Sequence, residues 1–260
     1  MSMESRKFIK DLTIIRNIPL NARHFILELQ VPDEFPAMLP GQFVQVLVEN
    51  SPGTFLRRPF SIHSIDVQNH SFRLLIQLKG EGTRHLAELT EGKKVNVIFP
   101  LGNSFSLPAN PEVLLVGGGC GVAPLLFLAQ HLHQHNIRPT ILTGWRSEAD
   151  IFEQAEYEKY GNLLITTDDG SCGEKGLITD HSVFQKETLA FKKIYCCGPD
   201  PMMRSIAAIA KLHRTECEVS LENMMACGFG VCLCCVTPTL HGNQRVCAEG
   251  PVFDIRELGW

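Results

Sequence analysis

Four cysteines near the C-terminus follow the spacing Cys-x4-Cys-x2-Cys-x11-Cys, and no other feature constrains the fold as strongly. They are Cys227, Cys232, Cys235 and Cys247. This is the spacing of plant-type [2Fe–2S] sites, in which four thiolates hold two irons. Gly228 and Gly230 lie in the first loop, where a missing Cβ lets backbone N–H groups approach the sulfur atoms. We therefore predict a [2Fe–2S] cluster on these four thiolates.

Two other interpretations of the cysteines stay open at this point. A Zn(Cys)4 site more often has two Cys-x2-Cys pairs, and only one such pair is present here. Unliganded thiols in a core are the second alternative. Cys234 is adjacent to Cys235, so the two side chains point in different directions, and we predict that Cys234 is not a ligand.

The composition is that of an ordinary globular protein. The chain has 260 residues, 44% of them hydrophobic, ten cysteines and a formal net charge of −4. A mildly acidic chain gives no support for binding to nucleic acid or to an anionic membrane. Residues Met1 to Lys10 lack the apolar stretch of a signal peptide, and the uncharged stretch 113–137 is too rich in glycine, proline and polar residues to span a membrane. We predict a soluble, cytoplasmic protein with reduced thiols.

Residues 1–107 are predicted to form an antiparallel barrel. Six short runs have strand composition and near-regular spacing, separated by turn signals such as Leu39-Pro40-Gly41. The runs are Phe8–Arg16, His24–Val31, Gln42–Val48, Pro59–Ile65, Phe72–Lys79 and Val95–Phe99. One short helix is expected over Gly82–Leu89.

Residues 108–216 are predicted to form a parallel α/β domain, because strand and helix patterns alternate. The predicted strands are Val113–Val116, Pro139–Trp145, Leu163–Thr167 and Lys193–Cys197, and the predicted helices are a stretch over Val122–Leu132, Asp150–Tyr160 and Pro201–His213. Residues 217–260 are too short for a core of their own. We expect this third domain to fold around whatever its cysteines bind.

Two segments of the barrel have the residues of a flavin-nucleotide site. Arg57-Arg58-Pro59-Phe60-Ser61 combines arginines for a diphosphate, a rigid proline and a hydroxyl for a flavin ring nitrogen. Gly80-Glu81-Gly82-Thr83 precedes the predicted helix, whose first N–H groups can receive phosphate. A turn with two solvated arginines is the alternative for the first segment alone.

Two segments of the α/β domain are typical of nucleotide binding. Gly117-Gly118-Gly119-Cys120-Gly121-Val122-Ala123-Pro124 follows a buried strand and opens a helix, which favours pyrophosphate binding around Gly119, Gly121 and Pro124. Cys197-Gly198-Pro199 ends a strand at the carboxyl edge of the sheet, where ligands bind, so these residues are predicted to flank a nicotinamide. A plain tight turn and an inert core cysteine are the respective alternatives.

Taken together, the motifs resemble the ferredoxin–NADP reductase superfamily. More narrowly, the chain resembles the electron-transfer subunits of two-subunit, NAD-dependent dihydroorotate dehydrogenases. The order of barrel, nucleotide domain and C-terminal cluster distinguishes this group, and the resemblance covers essentially the whole chain. It depends on Arg58–Ser61, Gly82-Thr83, Gly117–Pro124, Thr167-Asp168-Asp169-Gly170-Ser171, Cys197-Gly198-Pro199, the four cysteines, and the ending Val246–Phe253.

The resemblance implies cofactors, contacts and a partner. FAD would contact Arg58, Pro59, Phe60, Ser61, Leu75, Ile76, Gln77, Gly82 and Thr83, and Cys227, Cys232, Cys235 and Cys247 would ligate the cluster. Electrons would pass between NAD(H) and an FMN-containing catalytic subunit through FAD and the cluster, in a complex of two copies of each chain. No acid–base or nucleophilic residues are required, because the cofactors carry the chemistry.

Two residues depart from the superfamily pattern. Phe60 stands where many members have a tyrosine, so a tyrosine-type contact to the flavin is not expected. Cys120 stands in the glycine loop where an aliphatic residue is common, and its thiol is a candidate for making the loop sensitive to oxidation.

Other functions share this layout. One is the small subunit of an NADH-dependent ferredoxin:NADP oxidoreductase, or of a sulfide or sulfite reductase. Another is a redox sensor that binds nucleotide and a cluster without turnover. The sequence also leaves NADH against NADPH open: Arg146 follows a strand and could meet a 2′-phosphate, whereas the resemblance favours NADH.

Overall fold

A closed barrel of six antiparallel strands forms the N-terminal part of the protein. The computed structural model describes residues 7–32 and 35–260. Of the segment Met1 to Lys10, for which the sequence predicts no signal peptide, residues 1–6 lie outside the described residues. The strands are β1 (Phe8–Asn21), β2 (His24–Gln30), β3 (Phe43–Val46), β4 (Arg58–Asp66), β5 (Ser71–Gln77) and β6 (Lys94–Leu101), in the ring order β1-β2-β5-β4-β3-β6. Helix α1 (Glu81–Glu88) connects β5 to β6. The predicted barrel is confirmed.

Strand alternation places the core of the barrel. On β3, Val44 and Val46 are fully buried inside the barrel with Ile62 and Leu74 of neighbouring strands. Phe43 points the other way and packs in a second core shared with the rest of the chain. Because successive side chains of a strand point to opposite faces, one short strand contributes to two cores.

A mostly parallel sheet with helices forms the middle of the chain, and the predicted α/β domain is confirmed. Its elements are β7 (Val113–Gly118), α2 (Ala123–Gln134), β8 (Thr140–Trp145), α3 (Gln154–Tyr160), β9 (Asn162–Thr167), β10 (Glu174–Lys175), β11 (Lys193–Cys197), α4 (Asp200–Leu212) and β12 (Glu216–Ser220). They pair in the order β10-β9-β8-β7-β11-β12. Within the described ranges, no helix combines the length and apolar character that crossing a membrane requires.

The helix predicted over Asp150–Tyr160 is wrong at its start. Residues 148–150 form a single 3-10 turn, and α3 begins only at Gln154. The interruption falls at Glu153, whose φ of 53° is left-handed. A right-handed helix does not propagate through such a residue, and the side chain of Glu153 is engaged by His63 of the barrel.

The C-terminal segment packs on both other parts of the protein. It contains the hairpin β13 (Val236–Thr239) and β14 (Gly242–Arg245), and a short strand β15 (Val252–Asp254), which pairs antiparallel with β12 as the seventh strand of the sheet. Cys235, Val246 and Cys247 are buried in the same core as Phe43 of the barrel. Asn103, just after the barrel, hydrogen-bonds the backbone of Val252 in both directions. The segment therefore uses a shared core.

Candidate functional site

A cavity of about 670 Å³ lies between the barrel and the carboxyl edge of the parallel sheet. The barrel contributes Gln77 and Lys79 to its lining, and the sheet contributes the glycine loop and Gly198-Pro199. This volume is in the range of small-molecule sites. The cavity thus brings Gln77, one of the predicted flavin residues, into one cleft with the predicted nicotinamide residues Gly198 and Pro199.

The glycine loop is built by close backbone approach. Strand β7 ends at Gly118, residues 119–122 form a 3-10 turn, and Pro124 lies in the first turn of α2. Gly119 has a left-handed φ of 53°, and a Cβ on Gly121 would overlap the carbonyl oxygen of Cys197. Glycine at 121 therefore allows the loop to lie directly against the end of β11, which brings the two predicted nucleotide segments together.

The two arginines of the flavin motif have different surroundings. Arg57 donates to the carbonyl oxygens of Gln45 and Asn96 and to Asn96 Oδ1, at 3.3, 3.0 and 2.5 Å, so it ties barrel strands together. Arg58 donates to the carbonyl oxygen of Leu56 at 3.1 Å, and a Cβ on Gly82 would lie 3.5 Å from Arg58 Nε. The guanidinium of Arg58 thus lies at the start of α1, as a diphosphate site requires.

The remaining predicted flavin residues lie on β4, β5 and α1. Pro59, Phe60 and Ser61 are half-buried on β4. Thr83 Oγ1 accepts from the N–H of Lys79 and of Gly80 and donates to the Gly80 carbonyl oxygen, so its side chain holds the start of α1. Gln77 lines the cavity. Leu75 and Ile76 are buried in protein cores, and any contact with a cofactor at these two positions would be one of backbone atoms.

The four predicted ligand cysteines come together in pairs. The N–H of Cys247 donates to Cys235 Sγ at 3.3 Å, and both residues are buried. Cys227 is half-buried and its thiol is hydrogen-bonded with that of Cys232, which is exposed. Cys234 is exposed as well. Among the described residues, no three His, Cys, Asp or Glu side chains converge on a point that suits a single metal ion, whereas a binuclear cluster needs two thiolates at each iron.

Hydrogen-bond donors surround the sulfur atoms, as a negatively charged cluster requires. The N–H of Gly230 donates to Cys247 Sγ at 3.1 Å. Burial opposes ionisation of Cys227, but backbone N–H groups bring the pKa of its thiol down to about 6; the donors are those of Cys232, Phe229 and Val231. Burial, and then the adjacent Cys235 sulfur, raise the pKa of Cys247 to about 12. Bound ferric ions would offset that repulsion between neighbouring thiolates. The donor set fits an iron–sulfur cluster.

Arg245 fastens the loop that carries the cysteines. It pairs with Glu249 through its Nε and Nη2 atoms, and its Nη1 donates to the carbonyl oxygen of Gly230 at 2.9 Å. Gly230 has a left-handed φ of 91°. The Arg245–Glu249 pair thus fixes the carbonyl group of Gly230, the same residue whose N–H donates to Cys247 Sγ.

Several charged residues of the cleft escaped the sequence analysis. Glu222 and Lys79 line the cavity together, and burial raises the pKa of the Glu222 carboxyl while Lys79 lowers it. Glu222 follows the carboxyl end of β12, which is the position where ligands meet such sheets. If residues 216–220 had been predicted as a strand, Glu222 would have been expected at the carboxyl edge of the sheet. Arg146, which the sequence did indicate as a candidate contact of a 2′-phosphate, lines the cavity as well.

Comparison with known families agrees with this geometry. The family model of an oxidoreductase FAD-binding domain matches residues 10–105, and that of an oxidoreductase NAD-binding domain matches residues 115–208. Residues 222–259 match the iron–sulfur cluster binding domain of dihydroorotate dehydrogenase B. The protein named dihydroorotate dehydrogenase B (NAD(+)), electron transfer subunit, from Shouchella clausii is 38% identical over 226 residues, 84% of this chain and 86% of the relative.

The chain belongs to this family of electron-transfer subunits. The Fusobacterium nucleatum protein of the same name is 34% identical over 252 residues, 94% of this chain and 96% of its own length. The chain is therefore an oxidoreductase subunit with FAD-binding, NAD-binding and iron–sulfur cluster-binding domains.

Solved structures share the fold. An NADH-dependent reduced ferredoxin-NADP oxidoreductase superimposes with a TM-score of 0.86 at 28% identity, over 96% of this chain and 90% of the other. A cytochrome P450 reductase from Amycolatopsis superimposes with a TM-score of 0.68 at 22% identity, over 81% of this chain and 67% of the other, which shows the fold alone.

Proposed function

We propose that the protein passes electrons between NAD(H) and the FMN of a dihydroorotate dehydrogenase catalytic subunit, in pyrimidine biosynthesis. FAD and a [2Fe–2S] cluster would convert between two-electron and one-electron transfer, so the protein's own residues bind and orient these groups. One observation carries the proposal. The barrel borders the nucleotide cleft and also packs against the cysteine-containing segment, and apolar residues of the cysteine loop are exposed.

The residues of the cleft would hold the two nucleotides. Arg58 and the start of α1 would bind the FAD diphosphate, and Ser61 and Gln77 would contact the flavin ring. Gly119, Gly121 and Pro124 would bind the NAD pyrophosphate, with Cys197, Gly198 and Pro199 beside the nicotinamide. The cavity lined by Gln77, Gly119, Gly121, Gly198 and Pro199 supports the assignment.

Two cysteine pairs would each bind one iron. Cys227 and Cys232 form one pair and Cys235 and Cys247 the other, in accord with the contacts between their sulfur atoms and backbone groups. The N–H of Gly230 and the fold of its loop would stabilise the negative cluster.

The partner would dock on the apolar surface around Cys232, which we define as Met224, Phe229, Val231 and Leu233. Met224, Val231 and Leu233 are 85%, 74% and 62% exposed, whereas Met225 packs inward against the shared core. A cluster edge under exposed apolar side chains suits electron transfer to a second protein. We propose a complex of two copies of this chain with two catalytic subunits.

Reconstitution tests the proposal. The purified chain, loaded with FAD and cluster, should reduce artificial dyes with NADH and should form no orotate from dihydroorotate. Addition of the FMN-containing catalytic subunit should create NAD-dependent orotate formation and a complex whose mass corresponds to two plus two chains. Failure of that subunit to bind, or to acquire NAD dependence, would contradict the proposal.

A second candidate is the small subunit of an NADH-dependent ferredoxin:NADP oxidoreductase. The superposition at a TM-score of 0.86 on a protein of that description favours it specifically. The same reconstitution separates the two, because reduced ferredoxin would then exchange electrons with the loaded chain and its partner while dihydroorotate would not. A sulfide or sulfite reductase subunit would show turnover with sulfur substrates, and a sensor would show no rapid flavin reduction by NADH.

The remaining expectations stand as parts of this proposal. We divide the chain at 107/108 and 216/217. Strand β12 runs across the second boundary and β15 returns to the sheet, so the cluster domain would be attached to the sheet by two strands.

All ten cysteines are free thiols, which accords with a cytoplasmic location. NADH is the proposed nucleotide, and comparison of flavin reduction rates with NADH and NADPH tests that preference.

A further inference from the structure

Gln45 is a polar residue on the outer face of the barrel, yet it is fully buried. On β3, Val44 and Val46 point into the barrel, so Gln45 points outward with Phe43. Such a position normally faces water. Here its exposed fraction is 0%, because the C-terminal segment covers this side of the strand.

The cysteine loop lies directly on the Gln45 side chain. Gly228, the residue after Cys227, has a left-handed φ of 79°. A Cβ at Gly228 would lie 2.6 Å from Gln45 Cγ and 2.7 Å from Gln45 Nε2, so only glycine permits this approach. The amide is therefore in contact with the first loop of the predicted cluster site.

The hydrogen-bonding capacity of this amide is not used by the protein. Nε2 carries two N–H donors, and its partner is Met225 Sδ at 4.0 Å, which is a weak acceptor. Oε1 has no hydrogen-bond partner within the described parts of the chain. A buried amide left in this state is not compensated for the hydrogen bonds to water that it lost on folding.

We infer that the Gln45 amide donates a hydrogen bond to the cluster sulfur atoms at the Cys227 end of the site. The inference depends on the proposed cluster in the four cysteines. Such a cluster offers acceptors only, and its reduced form carries one more negative charge, so a donor stabilises the reduced form and raises the reduction potential. Gln45 thereby tunes the step that delivers electrons to the partner.

The same residue connects the cluster to the flavin motif. The Gln45 backbone pairs with Pro59 of β4, and its carbonyl oxygen accepts from Arg57 Nη1 at 3.3 Å. Arg58 is the first residue of β4. The strand that positions the donor amide is therefore held in register with the strand that would bind FAD.

The test measures the reduction potential of the cluster in the full chain loaded with FAD and cluster. Gln45→Leu removes the donor with little change in volume, and Gln45→Met removes it while keeping an unbranched side chain of similar length. In a redox titration followed by EPR, each should reduce the equilibrium constant for cluster reduction at least tenfold, which for a one-electron couple is about 59 mV. Gln45→His, which keeps an N–H donor, should restore most of the difference. Gln244→Leu on the hairpin of the same segment is the control and should leave the potential unchanged.

The outcomes separate this inference from the proposed function. Iron and sulfide contents of the parent protein test the cluster itself, and their absence contradicts the function rather than the role of Gln45. A cluster-loaded Gln45→Leu or Gln45→Met protein with the parent's potential overturns the inference. If neither variant retains its cluster, the test is made on the parent protein with ¹⁵N in the glutamine side-chain amides. Pulsed EPR of its reduced cluster should show a coupling to this nitrogen. The absence of the coupling also overturns the inference.

Discussion

His63 Nε2 lies 2.8 Å from Glu153 Oε2, and both groups are removed from bulk water. His63 Nδ1 lies 2.8 Å from the carbonyl oxygen of Ala123, the first residue of α2. Both ring nitrogens thus face oxygen atoms of other elements. This pair joins the barrel to the helix that carries the glycine loop and to the start of α3.

Removal of His63 should therefore destabilise the protein strongly. His63→Leu leaves the Ala123 carbonyl and the Glu153 carboxylate without a donor in a buried place, and should cost about 3–5 kcal/mol of unfolding free energy. Glu153→Gln should cost less than about 1 kcal/mol, because a glutamine NH2 can donate to Nε2 of a neutral ring that still donates to Ala123. Urea unfolding at pH 7 measures both, and equal losses would contradict this account.

The two arginines of the flavin motif should give opposite phenotypes. Arg58→Ala should weaken FAD binding at least tenfold with little change in stability, since its guanidinium lies at the start of α1. Arg57→Ala should lower stability by about 1–3 kcal/mol, because it strands the acceptors of Gln45 and Asn96. FAD titration of the apoprotein and its thermal unfolding measure the two effects. An equal loss of FAD affinity in both variants would contradict a specific role for Arg58 in FAD binding.

Cluster assembly should distinguish the adjacent cysteines. Cys235→Ser should lose the iron–sulfur chromophore, because Cys235 is buried against Cys247, whereas Cys234→Ser should keep it. Iron and acid-labile sulfide analysis, with the visible spectrum, measures the content. Flavin reduction by NADH should survive in both variants. Equal loss of the cluster in both would mean that the ligand set is misassigned.

Cys120 should be chemically inert in spite of its place in the cavity wall. Burial, and after it the nearby Glu222 carboxyl, raise the pKa of its thiol to about 12. The thiolate is the reactive form, so alkylation at pH 7.5 should be slow and should accelerate with pH up to that value. In the cluster-loaded protein, where the four ligand thiolates are occupied, mass spectrometry after iodoacetamide treatment should find exposed Cys234 modified first. Rapid modification of Cys120 would instead support the oxidation-sensitive loop expected from the sequence.

Gly121 should tolerate no side chain. Gly121→Ala would push the glycine loop away from Cys197, and should cost about 1–3 kcal/mol and weaken NADH binding. Gly259→Ala is the matched control, since an added Cβ there meets nothing within 4 Å. Thermal unfolding and NADH titration of the two proteins test the difference. An unchanged NADH affinity in a stable Gly121→Ala protein would remove the loop from the nucleotide site.

Local patterns by themselves determined the elements and the class of chemistry. The four cysteines carry their ligand spacing in the sequence, and the six barrel strands and the glycine loop after β7 each show within a few residues. These features are readable because the side-chain period of a strand, the conformational freedom of glycine and the reach of thiolates around a cluster are short-range constraints. Strand β12 was missed because Glu216 and Glu218 weaken its apolar pattern, and it is held in place by pairing with β11 and β15.

Only the tertiary structure decided which polar residues work together. Residues 45 and 228 meet because the cysteine segment folds back over the barrel, and residues 63 and 153 meet because α3 packs beside β4. Neither contact has a local signature, since the residues are distant in sequence. The same holds for the two neighbouring arginines, which are chemically identical in the sequence. Arg57 ties strands together through Asn96 of β6, whereas the guanidinium of Arg58 lies at the start of α1.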